Sequence, residues 1–175
     1  MAPQSNRISS EAERLVKACS RELEGRASLE RIGEALSAHA SVHHARVVWA
    51  PSRDDRRAHT IDLASQRLAA SGAAILGGDP DKADPEEMFV ASLSSCHMLW
   101  FLSLARAARL QVTAYEDEPE GTMDGTRFTR VVLRPKVAFD GDVDQEQIDS
   151  LHHRAHERCF IANSVSCTVE VEPQP

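Results

Sequence analysis

Cys96 and Cys159 are the residues of this chain whose type and setting best suit covalent chemistry. The sequence holds four cysteines in 175 residues and no Cys-x-x-Cys, which excludes a thioredoxin motif, a zinc ribbon and a disulfide scaffold. Isolated cysteines are either small buried hydrophobes or reactive thiols. Cys19 recurs at helical spacing with Leu15, Leu29, Ile32 and Leu36, and Cys167 shares one strand face with Val165, Val169 and Val171, alternating against Ser166, Thr168, Glu170 and Glu172. Both read as core residues. Cys96 and Cys159 remain.

Their expected surroundings differ. Cys159 falls in the last turn of a helical segment, where the partial negative charge of the helix end disfavours a thiolate. Cys96 lies about three turns inside another helix, beyond useful reach of the dipole, so its thiolate needs a cation. Arg57 and Arg53 are the candidates, because an arginine fork suits that task. Glu86, ten residues before Cys96, cannot activate a thiol directly but can orient such an arginine through a bidentate pair. The implied chemistry has two steps. The Cys96 thiolate attacks an O–O bond and becomes a sulfenic acid, which Cys159 condenses into a disulfide. That demands Cα atoms within about 7 Å of each other.

A rival reading assembles zinc from Cys96, His97, His152, His156 and Cys159, since His152, His156 and Cys159 share a helix face. Its bland counterpart is a set of histidines on a half-solvated helix, in a chain rich in histidine. A serine hydrolase is disfavoured because Gly-x-Ser-x-Gly is absent; Ser94 and Ser95 read as small residues that permit close helix packing.

The elements that position these residues follow from periodicity. Positions 9–40 read as helical, with Gly25 separating two short helices. Ala45–Trp49 and His59–Leu63 read as strands about a turn at Pro51–Asp55, and 70–82 as a loop rich in Gly, Ala and Asp. Asp84 serves as N-cap, Pro85 as first helical residue and Glu87 as capping-box partner of a helix running to about Arg109. Its apolar stripe reads as Phe89, Leu93, Cys96, Trp100 and Leu104, facing the core. Strands follow at Val112–Glu116 and Phe128–Phe139, the second an edge or bulged at Pro135. A helix at Asp144–Cys159 and a closing strand over Val165–Val171 complete the pattern, so the class is α+β.

Length allows one domain of ordinary size, 42–175, preceded by a helical extension over 1–41. A net charge of −7 makes nucleic acid a poor partner, and the basic cluster at Arg53, Arg56 and Arg57 is interrupted by Asp54 and Asp55. No apolar run of about 18 residues stands out as a membrane span. Glu11, Glu13 and Glu24 break any secretory-signal pattern, so a cytoplasmic location is expected.

The run Asp84-Pro-Glu-Glu-Met-Phe-Val-Ala-Ser-Leu-Ser-Ser-Cys-His97, continued by Met98–Ser103, resembles the OsmC/Ohr signature around its first cysteine (osmotically inducible protein C and organic hydroperoxide resistance protein). Ala155–Ser164 resembles the segment around the second, and the resemblance covers about Val42 to Glu172 in the Ser-Ser-Cys-His branch. It implies an α+β fold of antiparallel sheets with two long central helices, in an intertwined homodimer with two sites at the subunit interface. It implies a cysteine-based peroxidase in which Cys96 reacts with the peroxide, Cys159 resolves it, and an arginine on Cys96 is held by Glu86. Arg57 in Arg57-Ala-His-Thr60 is favoured for that arginine; Arg53-Asp54 resembles the alternative of the other branch. The implied substrate is an organic hydroperoxide (less efficiently hydrogen peroxide), with a small-molecule or lipoyl-type protein dithiol as reductant and no cofactor. Ile61 departs from the aromatic expected two residues after His59, and 1–41 has no counterpart. The second functional reading is a non-catalytic, stress-related dimer holding a hydrophobic ligand near Trp100 and Phe101.

Overall fold

The computed structural model describes residues 40–51 and 53–175; the core reading of Cys19 and the helical reading of 1–41 lie outside them, but for residues 40 and 41, which are not helical. In chain order the elements are β1 (Ala45–Trp49), β2 (His59–Leu63), β3 (Gln66–Ala70), α1 (Pro85–Ala107), β4 (Val112–Asp117), β5 (Glu120–Asp124), β6 (Arg127–Leu133), β7 (Pro135–Phe139), α2 (Gln145–Arg158) and β8 (Thr168–Val171). The α+β class holds. The sheets run β1-β2-β3, β4-β7 and β5-β6-β8.

The described chain falls into two compact units. One comprises 40–47 and 61–68, the other 48–60 and 69–175. In the first, Asp62 accepts from Arg46 at 3.1 Å and from Arg67 Nε at 2.7 Å, exposed pairs of small energetic weight. The second carries both helices and every candidate site residue.

Helix α1 starts where its sequence says it must. Asp84 Oδ1 accepts the Glu87 N–H at 2.7 Å and Glu87 Oε2 accepts the Asp84 N–H at 3.1 Å, the reciprocal capping box, with Pro85 at the first helical position. The face that enters the core is Leu93, His97, Phe101, Leu104 and Ala105, displaced by about one residue from the expected stripe. Cys96 and Trp100 are only half-buried. The reason is compositional: α1 is apolar nearly all round, so periodicity does not single out one stripe. It is also long and apolar enough to cross a membrane by length and composition, with 28% of that window buried within the chain, contrary to the expectation that no such run exists. Two of its serines are satisfied within the helix: Ser92 Oγ donates to the Phe89 carbonyl at 2.7 Å and Ser103 Oγ to that of Leu99 at 2.8 Å.

The core of this unit is Leu93 of α1 with Val131 and Leu133 of β6, surrounded by Phe89, Phe128, Ile161, Cys167 and Val169. Cys167 thus packs as its alternation predicts. The Phe128–Phe139 stretch is two strands, not one. Pro135 opens β7, where its missing N–H costs no ladder bond, and the Arg134 N–H just before it donates to Asp117 Oδ1 at 2.6 Å. β4–β7 and β5–β6 are antiparallel. β6–β8 is parallel, as the long return through β7 and α2 allows. Gly121 of β5 lies against Val90 and Phe128, whose atoms would stand 2.6 Å from any added Cβ, so only glycine lets β5 approach α1 this closely.

Strand β3 has no sequence-level precursor. The β2–β3 turn is Ala64-Ser65, with Ala64 at φ 53, and the Gly or Asn that would announce such a turn is missing.

Candidate thiol site

α1 brings Cys96 to Cys159, which caps the C-terminus of α2. Cys96 stands beside the Cys159 thiol, near enough to raise its pKa. Both cysteines are free thiols, Cys159 buried and Cys96 half-buried. Cys159 Sγ faces the Leu93 carbonyl at 3.9 Å and accepts the Ala162 N–H at 3.4 Å. Burial, reinforced by the neighbouring Cys96 and only partly offset by the Ala162 N–H, pushes the Cys159 thiol up to about 11. The sequence argument reached the same protonation state from the helix end; burial is the larger cause.

Glu86 sits in the first turn of α1, on a hollow of about 450 Å³ lined also by Val90, Pro119, Gly121, Met123 and Phe128. Its Oε2 is buried with no hydrogen-bond partner among the described residues. A buried carboxylate oxygen left so is costly, and the group best fitted to relieve it is a guanidinium. Arg57 and Arg53 lie in the β1–β2 connection, exposed to solvent. The Arg57 stem instead runs over Gly72: a Cβ there would stand 2.9 Å from Arg57 Cδ. Within one chain, then, the two cysteines meet, while Arg57 is held against a different segment.

The histidines are arranged otherwise than expected. His97 and His152 are buried, their rings nearly parallel, with His97 Nε2 and His152 Nδ1 3.1 Å apart. His152 is therefore a core residue, stacked on Phe101, and not part of a half-solvated face. Burial, with His152 and His156 nearby, drives His97 down to about 3; burial, opposed by Asp149, drives His152 down to about 4. Among the described residues no group of three or more His, Cys, Asp or Glu is arranged to hold a metal, so Cys96, His97, His152, His156 and Cys159 do not assemble the zinc set of the rival reading. Nor does Phe101 line a ligand site: it is fully buried, in contact with Tyr115, Phe139 and His152. The zinc reading does set His97 beside His152, 55 positions away, but as ligands; the structure joins them as a buried hydrogen-bonded pair, which no local sequence signal announces.

Serine chemistry also recedes. Ser94 Oγ donates to Asp117 Oδ2, and the same carboxylate accepts the Arg134 N–H, so Ser94 ties α1 to the sheet.

The family model of OsmC-like proteins matches residues 78–174. An OsmC-like protein of unknown function from Vibrio cholerae is 38% identical, with 77% of this chain and all of that one covered and a TM-score of 0.70. An uncharacterised protein of Methanocaldococcus jannaschii is 25% identical over 128 residues, 68% of each chain. An organic hydroperoxide resistance protein from Bacillus subtilis shares the fold at 20% identity, covering 77% of this chain and all of its own, with a TM-score of 0.54. With the two-cysteine geometry and the matched segment in the same unit, the chain belongs to the OsmC-like protein family.

Proposed function

We propose that this protein is a thiol-dependent peroxidase that reduces organic hydroperoxides through Cys96 and Cys159. The observation that carries the reading is the contact between a half-buried Cys96 and a Cys159 held protonated by burial. Such a pair has a built-in order of reaction. The Cys96 thiolate attacks the terminal peroxide oxygen, the O–O bond breaks, and the alkoxide takes up a proton, leaving Cys96 sulfenic acid and an alcohol. Cys159 sulfur then attacks the Cys96 sulfur. Its proton and the sulfenic hydroxyl leave as water, and the Ala162 N–H at 3.4 Å favours the charge that develops on Cys159. A dithiol, small or carried on a lipoyl-type protein, reduces the disulfide by exchange and is itself oxidised.

Arg57 and Glu86 complete the site in this reading when two copies associate. The unsatisfied Glu86 Oε2 supports a guanidinium arriving from a second copy. The solvent-facing apolar side of α1, with Leu99 exposed, and exposed Trp49 and Phe160 support a homodimer. The matched family and the organic hydroperoxide resistance proteins of the same fold agree with a role against peroxides. A reducing compartment such as the cytoplasm keeps the resting dithiol available.

The test is stopped-flow reduction of cumene hydroperoxide by the reduced protein. Wild type consumes peroxide and Cys96→Ser does not. Cys159→Ser consumes one equivalent and stops at a sulfenic acid that dimedone traps. Peroxide left untouched by wild type would sink the reading.

A further inference from the structure

We propose that Asp55, gripped by Ser71 and Lys82, is a positioning residue that presents the Arg57 guanidinium to the thiol site; this rests on the peroxidase reading above. The β1–β2 connection is a solvent-facing segment, yet the turn that bears Arg57 is tied at several points. Asp55 Oδ1 accepts the Arg57 N–H at 2.8 Å, and Asp55 Oδ2 accepts from Ser71 Oγ at 2.9 Å and from Lys82 Nζ at 3.2 Å. Lys82 Nζ also pairs with Asp79 at 2.8 Å, and Ser71 Oγ accepts the Asp79 N–H at 3.1 Å.

This cluster is unlike an ordinary surface pair. Ser71 is fully buried and its own N–H donates to the Ala83 carbonyl at 3.1 Å, so the far end of the tether is fixed in the backbone. Asp55 and Lys82 keep only 13% and 29% of their side-chain surface exposed, which limits the solvent competition that makes surface pairs weak. The clamp ends two residues before the N-cap Asp84, hence on the chain that leads directly into Glu86 and α1. Gly72, next to Ser71, provides the bed for the Arg57 stem, since a Cβ there would reach 2.9 Å from Cδ and 3.4 Å from a terminal nitrogen. One short segment thus fixes both the backbone and the stem of Arg57.

A long arginine on an untethered loop loses rotamer and backbone freedom each time it engages a thiolate. Holding it in advance lowers that cost, and a misplacement of about 1 Å at a reacting centre can cost on the order of a hundredfold. Asp55→Asn keeps the shape and can still accept the Arg57 N–H, but weakens the grip of Lys82. Gly72→Ala leaves the cluster intact and displaces the stem.

The test is a double-mutant cycle read as the second-order rate with cumene hydroperoxide, alongside the 15N signal of Arg57 Nε–H, assigned by its loss in Arg57→Lys. Asp55→Asn and Lys82→Met are expected to slow peroxide reduction roughly tenfold or more, Lys82→Arg to restore most of it, and Asp55→Asn to change nothing further once Arg57 is alanine. Gly72→Ala is expected to slow the rate at unchanged melting temperature. The Nε–H signal, sharp in wild type, should broaden or shift toward free arginine in Asp55→Asn. Equal losses in both Arg57 backgrounds would reduce Asp55 to a folding role and overturn the proposal. So would an Arg57 signal indifferent to Asp55, a result that can be read even if wild type proves inert to peroxide. Inertness of wild type with a responsive Arg57 signal would remove the peroxidase reading while leaving the clamp.

Discussion

Cys96 and Cys159 carry the same functional group in different surroundings, one half-buried and one buried, and the difference is local. Cys159 sits under Leu93, buried at the end of α2, and burial holds its proton to about pH 11. Its place at a helix terminus was legible in the sequence; the burial that dominates its protonation was not, because it comes from α1, far away in sequence. The histidines were legible as neighbours but not as a buried pair. His97 and His152 share one hydrogen bond in the core, which neutral rings make with one donating and one accepting. Both folded values, about 3 and about 4, lie below the ordinary 6.5, so the unfolded chain binds protons that the folded one refuses. The stability these rings permit is present above pH 6.5 and is lost progressively as pH falls toward 4 and then 3. Melting followed by calorimetry should show a falling transition temperature between pH 6.5 and 5, above the range of most carboxylates. His152→Asn should flatten that slope; an unchanged slope would mean the pair is not what titrates. At the thiol site itself, Arg57→Lys should slow peroxide reduction by about tenfold or more, because a point charge lacks the fork that can engage Glu86 and a thiolate together. A rate that stays the same would move the role to Arg53.

Among the elements, α1 was the easiest to read and the easiest to misplace in rotation. Asp84, Pro85 and Glu87 announce its start through groups that bond each other locally, so sequence suffices. Which side faces inward depends on the sheet, and a helix apolar all round offers no internal clue. Pro135 was read correctly as a disruption, but only the Asp117 carboxylate, accepting the Arg134 N–H, makes it a break between strands. β3 follows a turn held by Ala64 in a conformation rarely adopted without glycine, hence its invisibility. The cap should be worth what such caps usually contribute: Asp84→Ala should lower unfolding free energy by about 1 kcal/mol in urea denaturation. Leu93, at the centre of the core and over Cys159, should cost about 2–5 kcal/mol when cut to alanine. A loss at Leu93 no larger than at Asp84 would contradict the core assignment.

For the whole molecule, the two-helix α+β design with its family resemblance was legible, while association was only implied by it. A single chain leaves Leu99, Trp49 and Phe160 in solvent and the Glu86 carboxylate without a cation among the described residues. Sedimentation equilibrium should therefore find a dimer at micromolar concentration. Leu99→Asp should shift it toward monomer and slow peroxide reduction in parallel, since a site completed by two copies fails when they part. A monomeric variant with full activity would place Arg57 and Cys96 in one chain.

The central claim, that Cys96 and Cys159 act in sequence as one redox pair, is tested most directly by mass spectrometry of the reduced protein after one equivalent of cumene hydroperoxide. The expected product is a single intramolecular disulfide joining the Cys96 and Cys159 peptides, with Cys19 and Cys167 still free and Cys159→Ser yielding a Cys96 sulfenic acid instead. A protein that keeps both thiols, or that oxidises first at Cys159, Cys19 or Cys167, would contradict it.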